Sequence, residues 1–431
     1  MTQLLAARQG KITEAMTQAA AYENTSPETV RDKVAAGLAV IPKNVHRKFS
    51  ARVIGQGFRT KVNANIGTSM SRHNEIQEFE KLDAAVSAGA DAVMDLSTGG
   101  DLHAILKTML DRSPLMVGTV PIYGVASALA SRKKTMLDMT ADDLFEEITA
   151  QAELGVDFIT VHCGVIKSTV ETLMTCERVV GIVSRGGSLM AEWMAVTGKQ
   201  NPLYEQYDRL LEIARAHDVT LSLGDGLRPG GIADAEDRAQ HAELNVLGTL
   251  AERAREAGVQ VMIEGPGHVP LSYIAGDVKL QKRLCGGAPY YVLGPLPTDV
   301  APGYDHITGA IGGAIAASAG VDFLCYVTPA EHLTLPTAKD VAEGVFVSRI
   351  AAHIGDLEKK IPGAWEWDLE MSRARRRFDW EAMFRLAINP ELARSRRAES
   401  EDAGREVCTM CGDLCAMKTF DRVCEATKKK K

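Results

Sequence analysis

The chain has 431 residues, 45% hydrophobic and 24% charged, with 49 Lys and Arg against 56 Asp and Glu for a formal charge of −7. That balance argues against a duplex nucleic-acid binder, which needs a basic contact face, and no apolar run reaches the ~18 residues of a membrane-spanning helix. Residues 1–10 show no secretory pattern, and eight Cys, four of them between Cys408 and Cys424, are too sparse for a disulfide framework. A core-forming protein of a reducing, cytoplasmic compartment is expected, with neither nucleic acid nor membrane as partner.

Residues 1–60 read as a small helical leader. An Ala-rich run spans Ile12 to Ala21, and Ser26-Pro27-Glu28 suits a helix start because Ser caps and Pro fits the first turn. Over 61–360 the pattern changes to short Val- and Ile-rich runs alternating with helical stretches, the signature of a buried parallel sheet. Nine runs begin at Lys61, Ala92, Val117, Phe158, Ile182, Thr220, Val259, Tyr290 and Asp322. Most place a polar or reactive side chain at or just past the carboxyl end, as Asn65, Asp95, Tyr123, His162, Arg185, Asp225, Glu264, His268 and His332 do. In a (β/α)8 barrel of the TIM type those ends converge on one mouth. A doubly wound sheet is the alternative, but no Gly-x-Gly-x-x-Gly opens the first βα unit. Nine runs compete for eight places, so one is extra to the ring. Residues 361–400 read as carboxyl-terminal helices, Arg394 to Glu406 as a charged helix end and tether, 401–431 as a Cys-bearing tail, and Lys428 to Lys431 as a disordered basic end.

Cys408-Thr-Met-Cys411-Gly-Asp-Leu-Cys415 sets three thiols at x2 and x3 spacing, which can wrap zinc or an iron–sulfur cluster. Cys424 could complete a structural zinc knuckle, and no His follows His353. Three thiols with one iron left open can also hold and cleave S-adenosylmethionine. Glu264-Gly-Pro-Gly-His268 and Glu331-His332 put two His at the mouth, able to bind zinc with open positions or to serve as hydrogen-bonded structural groups; His306 is a rival ligand. Ser184-Arg185-Gly186-Gly187 and Gly224-Asp225-Gly226-Leu227-Arg228-Pro-Gly-Gly231 are loops whose backbone N–H groups and Arg could take a phosphate. They could equally be tight turns, with Asp225 and Arg228 paired to each other. Asn63 and Asn65 share a strand face, while Met94 and Tyr123 fit core filler and a satisfied hydroxyl as well as a binding role. No Gly-x-Ser-x-Gly elbow or Walker loop is present.

Taken together, Val62-Asn-Ala-Asn-Ile-Gly, Met94-Asp-Leu-Ser, Gly118-Thr-Val-Pro-Ile-Tyr123, the two Gly-rich loops, Glu264-Gly-Pro-Gly-His-Val-Pro, Asp299-Val-Ala-Pro-Gly-Tyr-Asp-His and Cys325-Tyr-Val-Thr-Pro-Ala-Glu-His resemble the phosphomethylpyrimidine synthase family of thiamine biosynthesis, from about residue 2 to 418. The resemblance implies a radical S-adenosylmethionine enzyme that rearranges 5-aminoimidazole ribotide into 4-amino-5-hydroxymethyl-2-methylpyrimidine phosphate, releasing carbon monoxide and formate. It implies a [4Fe–4S] cluster on Cys408, Cys411 and Cys415, and zinc on His268 and His332 with His306 beside it. It implies substrate contacts from Asn65, Met94, Tyr123 and His162, from Ser184, Arg185 and Gly186, from Asp225, Gly226, Leu227 and Arg228, and from Glu264 and Tyr291. A homodimer and an electron donor such as a flavodoxin or ferredoxin are implied as partners. Three positions depart from the family pattern: x3 rather than x4 between Cys411 and Cys415, Gly286 in place of His, and Cys163 where Ala is common. A close relative, 5-hydroxybenzimidazole synthase, uses the same substrate and cluster. A zinc-dependent barrel lyase with a structural zinc tail is the reading from another class.

Overall fold

The structure is a computed structural model that describes residues 1–71, 73–399, 404 and 406–429. The chain divides into two compact units, Met1–Ile361 and Pro362–Lys431.

In the first unit eight parallel strands close into a barrel in chain order: β1 (Lys61–Ile66), β2 (Ala92–Asp95), β3 (Met116–Thr119), β4 (Phe158–Val161), β5 (Thr220–Leu223), β6 (Val261–Gly265), β7 (Tyr290–Leu293) and β8 (Phe323–Cys325). The last strand returns to the first, with Phe323 opposite Lys61 and Cys325 opposite Asn63. Strand residues are buried on both faces, which is why the runs read as continuous apolar stretches. An acid just ahead of a strand ties down its neighbour at the amino-terminal rim. Asp91 accepts from Val62 N at 3.0 Å, Asp157 from Val117 N at 2.9 Å and Asp322 from Tyr290 N at 3.0 Å. These carboxylates replace partners that the end of a ladder lacks.

The ninth run, Ile182 to Gly187, is the one outside the ring. Its residues are irregular until Ser184 caps a helix, Arg185–Thr197, by accepting from Gly187 N at 3.2 Å. The Ser and paired Gly residues that made the loop conspicuous are therefore a helix start.

The leader forms three helices, Gln3–Arg8, Glu14–Glu23 and Pro27–Ala35, the last capped by Ser26 as its sequence suggests. They close the amino-terminal end of the barrel around a small core including Met16, Val30, Val34 and Phe58. Glu23 and Lys61, each with a side chain 1% exposed, form an ion pair at 2.8 Å. Thr2 Oγ1 donates to Gly258 O at 2.6 Å, and Gln3 N to Asp218 at 2.9 Å.

The second unit consists of helices Ala364–Arg376, Trp380–Leu386, Pro390–Ala398 and Ala416–Lys428. Trp367 Nε1 donates to Leu386 O at 2.8 Å, and Arg394 grips Glu381 at 2.7 and 2.8 Å. The expected tether is thus helical as far as Ala398, because Asn389 caps and Pro390 starts that helix. Residues 400–403 and 405 of it lie outside the described residues. Lys428 ends a helix rather than belonging to a disordered run, while Lys430 and Lys431 lie outside the described residues. Among the described residues no helix is long and apolar enough to cross a membrane.

Candidate active site

The carboxyl ends of the strands surround a cleft whose empty volume, including its opening to solvent, is about 540 Å³. Of the residues singled out in the sequence, Asn65, Met94, Tyr123, His162, Ser184, Asp225, Arg228, Glu264 and Tyr291 line it. Asn63 and Asn65 both face inward: Asn63 Nδ2 donates to Tyr291 OH and to Asn65 Oδ1, each at 2.8 Å. Asn65 Nδ2 in turn donates to Cys325 Sγ at 3.0 Å. Tyr291 stacks on Phe323 with ring centres 4.4 Å apart and points its hydroxyl at Met94 Sδ, 3.5 Å away. Met94 is therefore wall rather than filler.

His162 ends β4 fully covered, with Nε2 3.1 Å from Ser184 Oγ. Burial, and then Arg228, push its pKa down to about 3, so the imidazole is neutral. Arg228 and Asp225 do pair, at 3.1 Å, but Asp225 Oδ2 stays buried without a partner. Burial raises both Asp225 and Glu264, and the Glu264 carboxyl raises Asp225 further, while Arg228 opposes both shifts. Arg228 pairs with Asp225 and acts on Glu264 from nearby, and burial favours the protonated form at both carboxyls. Glu264 also accepts from Thr160 Oγ1 at 2.6 Å and Ser222 Oγ at 3.1 Å.

Four expected residues do not line the cavity. The Arg185 guanidinium lies over the Tyr123 ring at 4.9 Å. Gly186 sits where a Cβ would come within 2.2 Å of the His162 ring, so only glycine lets the two meet. Leu227 is fully buried, and the Gly226 and Leu227 N–H groups, expected to face an anion, donate to the Glu243 carboxyl at 2.9 and 2.7 Å. Leu96, Val120, Thr160, Gly265, Val292, Leu293 and Cys325 complete the wall without having been singled out for binding. Thr160 carried a usable signal, since it lies two residues before His162 and so shares its strand face. Glu243 carried none, because its partners are backbone atoms of another element.

His268 and His332 do come together, with ring centres 5.4 Å apart. His268 Nδ1 is 2.7 Å from Asp299 Oδ1, which leaves Nε2 free. His332 Nδ1 is 3.6 Å from Asp305 Oδ2. His306 follows Asp305 in sequence, and its Nδ1 is buried without a hydrogen-bond partner.

The family model described as Radical SAM ThiC family matches residues 2–422. The chain belongs to the radical SAM ThiC family. The phosphomethylpyrimidine synthase of Moorella thermoacetica is 59% identical over 419 residues, 97% of either chain. That of Geobacter metallireducens is 56% identical over 426 residues, 98% of either chain, and that of Dehalococcoides mccartyi 55% over 423, again 98% of either. A dihydropteroate synthase from Coxiella burnetii, solved with pteroic acid, aligns at a TM-score of 0.42 with 12% identity over 70% of this chain and 94% of that one, a likeness too weak to carry an argument.

Membership of the radical SAM ThiC family makes this chain an enzyme that uses S-adenosylmethionine and an iron–sulfur cluster. Cys408, Cys411 and Cys415 are free cysteines, and Cys415 is the N-cap of helix Ala416–Lys428. Among the described residues no three His, Cys, Asp or Glu side chains are gathered into a metal cage. The tail supplies three thiols whose chemistry fits a cluster with one iron left open. The histidine pair passes a geometric test for zinc. Two imidazoles bound at about 2.0–2.1 Å to one tetrahedral ion have ring centres about 5 Å apart, and a carboxylate on the far nitrogen, as Asp299 provides, is the usual support for such a ligand.

Proposed function

We propose that the enzyme converts 5-aminoimidazole ribotide into 4-amino-5-hydroxymethyl-2-methylpyrimidine phosphate, with release of carbon monoxide and formate, in thiamine biosynthesis. The observation that carries this is the cavity itself. One wall offers a cation and two buried carboxyls (Arg228, Asp225 and Glu264), uncharged hydrogen-bonding groups (Asn65, His162 and Tyr291) and apolar Met94. That set suits a small, electron-rich heterocycle bearing polar substituents. It is also the cavity of a chain 55–59% identical to enzymes named phosphomethylpyrimidine synthase over nearly its full length.

Within this reading, Arg228 with Ser184 and Arg185 receives the phosphate end, where a cation and a helix start meet. Neutral His162 is held in one orientation by Ser184 and contributes hydrogen bonding without adding positive charge. Glu264 and Asp225, whose protonated forms burial favours, can exchange a proton with the rearranging ring. The barrel wall keeps water from the reacting atoms. When bound, a [4Fe–4S] cluster on Cys408, Cys411 and Cys415 supplies the electron that cleaves S-adenosylmethionine to a 5′-deoxyadenosyl radical. Zinc on His268 and His332 would mark the rim of the same mouth. A cytoplasmic homodimer, reduced by a flavodoxin or ferredoxin, completes the proposal.

The test is incubation of the reduced, oxygen-free enzyme with 5-aminoimidazole ribotide and S-adenosylmethionine, followed by mass analysis. Pyrimidine phosphate with one equivalent each of formate and carbon monoxide is the expected outcome. Hydroxybenzimidazole would redirect the proposal to the related synthase, and no turnover of reconstituted enzyme would reject it.

A further inference from the structure

The loop after β5 that carries Asp225 and Arg228 is held by two buried charged side chains from outside the cavity. Glu243, 2% exposed on helix Arg238–Glu256, accepts from Gly226 N at 2.9 Å through Oε1 and from Leu227 N at 2.7 Å through Oε2. The Arg178 side chain, 3% exposed, donates to Leu227 O at 2.6 Å and Arg228 O at 3.2 Å, and reaches Gly181 O at 3.1 Å. Asp237 fixes that guanidinium from behind at 2.7 and 2.9 Å. The Gly226 and Leu227 N–H groups and the Leu227 and Arg228 carbonyls thus find partners in one carboxyl and one guanidinium rather than in a strand or helix, while Arg228 N donates to Asp225 O at 3.2 Å. There is no slack beside them. A Cβ at Gly226 would lie 2.2 Å from Val165 Cγ2 and 3.2 Å from Glu243 Oε1, and one at Gly164 would lie 2.7 Å from Glu243 Cγ.

We infer that Glu243 is a positioning residue for substrate binding: it touches no part of the cavity, but by holding the Gly226 and Leu227 N–H groups it sets where Asp225 and Arg228 stand in the wall. The inference rests on the proposed substrate. It has a chemical corollary. Burial pushes Glu243 up to about 8, so near neutral pH it keeps a proton. A carboxylic acid still accepts at both oxygens, whereas an amide accepts only at one and turns an NH2 toward the other N–H.

The experiment compares wild type with Glu243→Gln as reconstituted holoenzyme. Equilibrium binding of 5-aminoimidazole ribotide without reductant is measured beside turnover and amide hydrogen exchange. The expected result is a Kd and KM at least tenfold higher with kcat within threefold. Exchange should be faster across residues 225–228 and unchanged in the barrel strands. Arg178→Gln, which releases the loop from its other side, should give the same split. A folded Glu243→Gln whose Kd stays within twofold of wild type overturns the inference. Loss of protection throughout the barrel also overturns it, by making Glu243 a support of the fold and not of the loop. Failure of wild type itself to bind the ribotide would count against the proposed substrate; exchange at residues 225–228 would then decide on Glu243 alone, with unchanged rates rejecting its role.

Discussion

Replacing Gly187 by Ala puts the contact between the two Gly-rich loops to the test. Gly187 begins the helix after Ser184 and faces the backbone of the loop after β5. An added Cβ would stand 2.2 Å from Gly226 O, 2.6 Å from its Cα and 2.7 Å from its carbonyl carbon. Carbon contacts relax at about 3.5–4.0 Å, so the loops must separate by more than about 1 Å. They cannot do so freely, because the opposing atoms are backbone and are held by Glu243 and Arg178. Such overpacking costs about 1–3 kcal/mol of stability. A misplacement of about 1 Å among groups that position a substrate costs roughly a hundredfold in rate. The assay is anaerobic product formation, with kcat/KM expected to fall by about two orders of magnitude while the protein remains folded. Gly276→Ala is the control: it lies in helix Leu271–Leu284 with nothing within 4 Å of the new Cβ, and should leave activity intact and stability equal or slightly higher. Retention of kcat/KM within threefold by Gly187→Ala would refute the claim that the two loops form one rigid wall.

Asp299→Asn should weaken zinc binding roughly 10- to 100-fold in a chelator competition, because Asp299 orients His268 at 2.7 Å; an unchanged affinity would place zinc elsewhere. His162 has a folded pKa of about 3, below its unfolded value, so the unfolded state takes up a proton first and stability falls as pH drops below about 6.5. Between pH 6.5 and 5 this amounts to about 2 kcal/mol. His162→Gln should flatten the slope of urea stability over that interval, and parallel slopes for the two proteins would contradict the assignment. Glu23→Gln strips Lys61 of its buried partner and should cost about 3–5 kcal/mol in urea unfolding, with a loss under 1 kcal/mol indicating that water reaches the pair.

Much of the barrel was legible because its strands are short apolar runs that each end on a reactive side chain. The same grammar did not say which of nine runs lies outside the ring; it is the run at Ile182, where Ser184 and two glycines start a helix, and sequence periodicity cannot tell a loop that feeds a helix from a fully buried strand. Inside the cavity, residues at or just past strand ends were readable, and most of those singled out meet there. Gly226 and Leu227 were not readable correctly, because the fate of their N–H groups depends on Glu243, sixteen or more residues away on a neighbouring helix. The Asp299 support for His268 was equally hidden, since the two are joined across loops and not by spacing.

Electron paramagnetic resonance of oxygen-free, reconstituted and dithionite-reduced enzyme, with iron and sulfide analysis, addresses the tail thiols themselves. About four iron and four sulfide per chain are expected, with a reduced-cluster signal that changes when S-adenosylmethionine is added and disappears in Cys411→Ala. A colourless protein that carries only zinc in its tail, and still turns over in air, would contradict that outcome and leave the barrel with a different chemistry.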